Sequence, residues 1–450
     1  MKHYTNNTTG LLLGTLTALI AVDTALFNSS GYGVIGAMIA VLLVGLSAVV
    51  KLESAFYIVL FCFPFSSLLK LSYSSISILP ILYIVVIVRL LLSERIKLRL
   101  NQWLFFFIFL LLQIIGISAY GASFIDLISF FVSLLFVLCS ASFFSNYETK
   151  DNRLFKTSTV FFTVAVMENV LLSDLFPNML YTISPDKQEA LVQNKRFGAM
   201  FVEPNEFAQV VLITIGLLIT LLPMIRGFAR VLDIGAIVFL GISGYRTYSK
   251  SYVLTLFLLL IVLAFVYLRF TVNKKGAKAV LPKILPVLAI AFVGCVWLYY
   301  YVIAPTFEQR GPGDFLTGRG EIWLSYMEAF FSRLDIVLWG SGVGNVTYLN
   351  QVNVLIGSRV PHNMYLEFVI QFGIVGLLVL WLMVARLAKQ MKSKRYSFFI
   401  LVLLAFLITS FGISVNANDC IFMVALFTTM PFESFAADTA RQKADVTAPY

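Results

Sequence analysis

Arg246 lies in a short turn, Gly244-Tyr245-Arg246-Thr247-Tyr248, between two long apolar runs. A guanidinium offers a rigid fork of donors that matches a pair of phosphate oxygens. The plainer alternative is a snorkelling side chain that touches lipid headgroups. Three other residues could join it. Arg196 sits in Lys195-Arg196-Phe197-Gly198, followed by Glu203-Pro204-Asn205-Glu206, and Arg319 in Thr317-Gly318-Arg319-Gly320. His362 precedes Asn363 and Tyr365 at the head of an apolar run, and the only other histidine is His3. The dipole at a helix N-terminus favours neutral imidazole, which can take a proton from a hydroxyl nucleophile. Each residue also has a structural alternative: Pro204-Asn205 marks a helix start that Asn205 would cap, and His362 would anchor a helix end.

Other candidates carry less. Asp23, Asp126, Glu168, Glu367 and Asp419 fall inside apolar runs, where ionisable groups are costly and read as functional, but none has a readable partner. Cys62, Cys139, Cys295 and Cys420 lack metal-ligand or disulfide spacing and read as packing thiols. No His, Cys and carboxylate set with ligand spacing stands among the polar segments, so the chemistry is expected to need neither metal nor cofactor. Gly340-Ser341-Gly342-Val343-Gly344 lacks the spacing and the βαβ setting of a dinucleotide fingerprint and reads as a turn near the membrane. Glu321 to Asp335 predicts one helix with an apolar face of Ile322, Trp323, Tyr326, Phe330 and Leu334.

The elements that hold these residues are hydrophobic. Of 450 residues, 60% are hydrophobic and 12% charged, against about 25% charged in soluble domains. Uncharged windows of about 20 residues, the length a helix needs to cross the hydrocarbon core, recur along the chain. They are continuous rather than alternating, which excludes a β-barrel. The chain is therefore predicted to be all-α, a single polytopic transmembrane helix bundle over 1–450. About fourteen spans (range 12–14) are expected, at 9–27, 31–50, 54–69, 75–93, 102–118, 124–144, 154–172, 205–223, 230–243, 250–269, 282–301, 363–385, 397–415 and 419–436. The first run is long, contains Asp23 and lacks a small-x-small cleavage site, so it reads as a retained span. Most of the 33 Lys and Arg residues fall on alternate connections, and the positive-inside rule then places both termini, with the tail at 437–450, in the cytoplasm. The main extracytoplasmic loop is 302–362 and a smaller one 173–204. The net charge of +10 sits in short clusters between spans, which argues against a nucleic-acid partner.

Taken together and in order, the outer motifs are familiar. Arg196-Phe197-Gly198 with Pro204-Asn205, Ser243-Gly244-Tyr245-Arg246-Thr247, Gly318-Arg319 with Trp323, Gly340-Ser341-Gly342-Val343-Gly344, His362-Asn363-Met364-Tyr365-Leu366 and Gly373-Ile374-Val375-Gly376 resemble the O-antigen polymerase and O-antigen ligase superfamily. The likeness runs from about residue 190 to 385. It implies metal-independent, inverting glycosyl transfer at the outer leaflet of a bacterial inner membrane. The donor would be an oligosaccharide on undecaprenyl diphosphate and the acceptor a sugar hydroxyl. By motif, Arg246, Arg319 and Arg196 would bind the diphosphate and His362 would be the base, with Asn363, Asn205, Tyr365 and Glu203 in support. Tyr245 departs from the pattern, since many relatives have a small residue there for close backbone approach.

The resemblance implies a polymerase of polysaccharide repeat units first, because about fourteen spans exceed the twelve or so of a ligase. A ligase moving the glycan to lipid A core is the alternative, and a lipid-linked oligosaccharide flippase is the alternative of another class. A transporter would keep its polar groups at mid-bilayer, whereas these gather toward one face. Membrane lipids and a chain-length regulator protein complete the expected partners.

Overall fold

The computed structural model describes residues 2–30, 34–69, 77–93, 100–121, 123–145, 152–177, 196–201, 203–275, 319–345, 361–390, 399–413 and 420–431, with isolated positions between 293 and 304. Among the described residues the regular elements are helices, and there is no strand. In chain order they are α1 (Lys2–Ser30), α2 (Val34–Val49), α3 (Leu52–Cys62), α4 (Leu79–Leu92), α5 (Leu100–Tyr120), α6 (Phe124–Ser145), α7 (Arg153–Leu175) and α8 (Pro204–Leu221). There follow α9 (Phe228–Tyr245), α10 (Lys250–Lys275), α11 (Arg319–Phe331), α12 (Leu334–Trp339), α13 (Met364–Gln390), α14 (Phe399–Thr409) and α15 (Cys420–Thr429). Seven of them, α1, α5 to α9 and α13, are long and apolar enough to cross a membrane. Six more, α2, α3, α4, α10, α14 and α15, are apolar but shorter. The expected span at 282–301 falls almost wholly outside the described residues, and so do Asp419 and the tail at 437–450.

Burial separates the centre from the rim. In α8, 78% of the apolar window is buried, against 22% in α9. Gly216 lets α14 lie directly on α8, since a Cβ there would stand 3.2 Å from the backbone nitrogen of Val402. Gln209 ties the two helices by donating to the Phe406 carbonyl (3.3 Å) and the Ser410 hydroxyl (3.2 Å). At the rim, α5 exposes Leu104, Phe107, Leu111 and Ile115. Spacings of three and four put them on one stripe, a surface suited to hydrocarbon and costly in water.

The bundle has two chemically different ends. At one, Arg89 donates to the carbonyls of Ser47 (2.6 Å) and Val50, Asn152 reaches Met224 Sδ (3.8 Å), and Arg386 lies 4.7 Å over the Phe105 ring. The other end holds the C-termini of α7, α9 and α14 and the N-termini of α8, α10, α11 and α13, which touch through Arg246, Arg196, Arg319 and Tyr365.

Helix α13 is broken at Gly373, whose φ of 60° and ψ of 179° lie in a region that other residues hardly enter. The glycine-rich turn fills the break. The amides of Ser341 and Gly342 donate to the carbonyls of Ile370 and Gln371, each over 2.9 Å, and the Gly344 amide donates to Gln371 Oε1 (3.2 Å). The approach is backbone to backbone: a Cβ on Gly342 would stand 2.7 Å from the Ile117 nitrogen of α5. The turn is thus a buried plug set into a helix that is long and apolar enough to cross a membrane.

The single helix expected from Glu321 to Asp335 is two. Arg333 is extended (φ −122°, ψ 87°) and starts α12 afresh. Tyr326, Ala329, Phe330 and Ile336 form the inner face and pack on Ile370 of α13. The break turns Leu334 outward, leaving it 70% exposed instead of on the inner face. What holds the corner is polar: Asp335 accepts from Arg333 Nη2 (2.8 Å) and from the Tyr120 hydroxyl (2.6 Å). These bonds, Arg333 first, hold the Asp335 carboxyl well below the ordinary carboxylate range.

Candidate functional site

Arg246 follows the last turn of α9 and grips a carboxylate. Its Nη1 and Nη2 donate to the two oxygens of Asp174, at 2.8 and 2.6 Å. The paired carboxylate raises the guanidinium further above its ordinary value, while burial acts the other way. The guanidinium carbon lies 4.0 Å over the Phe197 ring, a cation–π contact that fixes the plane of the fork. The Phe197 amide donates to the Arg246 carbonyl (3.1 Å), so the Arg196-Phe197-Gly198 segment and the Arg246 turn form one unit.

Arg196 belongs to the frame of that unit. Its Nε donates to the Thr247 carbonyl (3.1 Å) and its Nη2 to Asn205 Oδ1 (2.9 Å). Asn205 therefore receives an arginine instead of capping its helix. Pro204 opens α8 at a position that needs no amide hydrogen bond, and Glu203 stands before it in extended conformation with no side-chain cap. Asn169 of α7 pins the same segment, donating to the Pro64 carbonyl (2.6 Å) and accepting from the Met200 amide (3.1 Å). Close backbone approach in the Arg246 turn is made by Gly244, which the Tyr252 ring overlies, while Tyr245 faces Tyr248 with ring centroids 6.0 Å apart. The bulky Tyr245 does not obstruct the turn.

Arg319, the first residue of α11, donates to the Gly412 carbonyl (3.4 Å). A methyl group added at Gly412 would lie 3.4 Å from Arg319 Nη1 and 3.6 Å from Ser251 Oγ. Ser251 hydrogen-bonds Ser249 (2.8 Å), and the Ser249 amide donates to Thr247 Oγ1 (3.1 Å). A run of hydroxyls thus leads from the Arg246 turn to Arg319.

His362 is half-buried with φ of +46°, an uncommon conformation for a histidine and one that its surroundings must hold. On one side the Trp323 indole donates to the Pro361 carbonyl (2.8 Å). On the other, Asn363 caps α13 through Oδ1, accepting from the amides of Tyr365 (3.1 Å) and Leu366 (3.2 Å). Tyr365 donates to the Leu407 carbonyl (2.6 Å) and rests on Phe411 at 4.6 Å. Glu367 is fully buried below them.

The structure brings Arg196, Asn205 and Arg246 into one contact set, with Glu203 beside them. It joins His362, Asn363 and Tyr365 to the helix of Arg319. Sequence reading missed Asp174 and Asn169. Asn169 carries a signal, an amide in an apolar run. Asp174 pairs across 72 positions, which no local pattern reveals. Among the described residues no group of three or more His, Cys, Asp or Glu could hold a metal ion. No family model, no curated protein and no solved structure matches the chain.

Proposed function

We propose that the chain is a repeat-unit polysaccharide polymerase, a metal-independent glycosyltransferase of the outer face of a bacterial inner membrane. It takes a glycan from undecaprenyl diphosphate and passes it to a sugar hydroxyl of a second lipid-linked repeat unit. In this reading the glycan's C–O bond to the diphosphate breaks as the hydroxyl oxygen attacks from the opposite face. Arg246 and Arg319 stabilise the departing diphosphate, Arg196 holds the frame between them, and His362 takes the hydroxyl proton. A diphosphate leaves without strong acid assistance, so the scheme needs one base and fixed positive charge.

The observation that carries the proposal is the gathering of three arginines and the one histidine outside the N-terminal tail at a single end of a membrane-type bundle. The fourteen-span count and cytoplasmic termini belong to the same reading. In their support, Lys51, Arg89, Arg153, Arg226 and Arg386 cluster at the far end. Helix α10 runs away from the Arg246 end and Arg319 is back at it, which agrees with a span between them.

The test is reconstitution. Vesicles holding purified protein and lipid-diphosphate-linked repeat units alone should yield chains of two or more units. Transfer that requires added lipid A core would favour the ligase. Movement of the unit across the bilayer with no new glycosidic bond would favour the flippase.

A further inference from the structure

The Arg246 fork is occupied by a group of the protein's own. Both oxygens of Asp174 take both terminal nitrogens of Arg246, the bidentate geometry that a phosphate edge would adopt. Both side chains stand at the surface, 41% and 43% exposed, and Asp174 is next to last in α7. An anion arriving from solvent or from the headgroup layer reaches this fork only by displacing the carboxylate.

We propose that Asp174 acts as an internal stand-in for phosphate, setting the affinity an anion must have to occupy the Arg246 fork. This rests on the diphosphate-binding reading of Arg246 given above. An outward arginine at a membrane surface is surrounded by phosphodiester headgroups, each a single anionic group. The carboxylate lowers the apparent affinity of every competing anion by one common factor. A phosphodiester, with one group to offer, then falls below occupancy. A diphosphate brings a second phosphate with contacts of its own and still displaces Asp174. The ion pair also keeps the fork flat on the Phe197 ring while the site waits, so displacement exchanges one pair of acceptor oxygens for another with little rearrangement.

The experiment uses the full chain in nanodiscs of zwitterionic lipid, with inorganic pyrophosphate and dimethyl phosphate, a phosphodiester, as probes. Asp174→Asn keeps size and loses charge, and should bind pyrophosphate about fivefold more tightly, the factor that an exposed ion pair at the upper end of its range supplies. Dimethyl phosphate, titrated alone, should bind the variant more tightly than the parent by the same factor of about five. Asp174→Glu should bind like the parent, and Asp174→Ser replaces the asparagine variant should that one fail to fold. Binding that depends on Arg246 but is unchanged or weaker in the neutral variants overturns the stand-in role and leaves the diphosphate reading intact. Absence of Arg246-dependent pyrophosphate binding in parent and variants alike overturns both.

Discussion

The Trp323 indole nitrogen lies 2.8 Å from the carbonyl oxygen of Pro361, the residue before His362. This bond couples the helix that begins with Arg319 to the backbone that holds the histidine. In the proposed mechanism it sets the separation of leaving-group site and base. Trp323→Phe keeps an aromatic ring and loses the donor. Chain extension should slow by about two- to tenfold, the worth of one hydrogen bond of about 0.5–1.5 kcal/mol. Initial rates at equal amounts of folded protein measure it, and an unchanged rate would show that the coupling is structural only.

His362→Gln retains hydrogen bonding without a usable base. It should lose about 10²–10⁴-fold in rate, the usual contribution of general acid–base catalysis, while still inserting and binding lipid-linked donor. Polymer made at close to the parent rate would assign the acceptor's proton to water or to a carboxylate.

Arg246→Lys keeps the charge and loses the fork, so donor turnover should remain strongly impaired. Arg319→Lys should behave in the same way. Arg333→Lys, at a corner away from the arginine cluster, should be mild. Near-normal polymerisation by Arg246→Lys would reduce that residue to a headgroup contact.

Gly373→Ala places a side chain where φ is +60° and where a Cβ would come within 2.7 Å of the Leu338 carbonyl oxygen. Backbone strain of about 1–3 kcal/mol adds to that clash. The variant should be poorly expressed or unfold at markedly lower temperature in detergent, whereas Gly235→Ala, with open space around it, should match the parent.

Asp335 gives a pH dependence. Its folded carboxyl lies below the ordinary value, so its contribution is complete above the unfolded value of about 4, fades below it and is lost as pH falls through the folded value. The group is 44% exposed, which limits the effect to about 1 kcal/mol or less. Asp335→Asn should therefore unfold at slightly lower temperature than the parent at pH 7. The gap should close as the pH falls below about 4, and a gap independent of pH would locate the effect in packing.

The sequence discloses what is local and repeated. Continuous apolar runs predicted the described membrane-type helices, and Pro204 with Asn205 marked the start of α8. Arg246 and His362 were legible because they border apolar runs, and Arg196 and Arg319 because they stand in the polar segments between such runs. Hidden were facts that arise only when distant segments meet. Asp174 looks like an ordinary charge at the end of a run until Arg246 is placed against it. The corner at Arg333 depends on Tyr120 from another helix. Gly373 reads as one more glycine in an apolar helix, and only the plug from 340–344 explains it.

That plug constrains how the protein can be made. In lipid, a backbone carbonyl without a partner costs several kcal/mol, so α13 cannot rest in the bilayer with Ile370 and Gln371 unsatisfied. Their partners, Ser341 and Gly342, each precede the carbonyl they serve by 29 positions and leave the ribosome first. The glycine turn is synthesised in time to receive the helix as it inserts. Biogenesis thus has a built-in sequence of events, in which a segment already synthesised completes the hydrogen bonding of the helix that follows it.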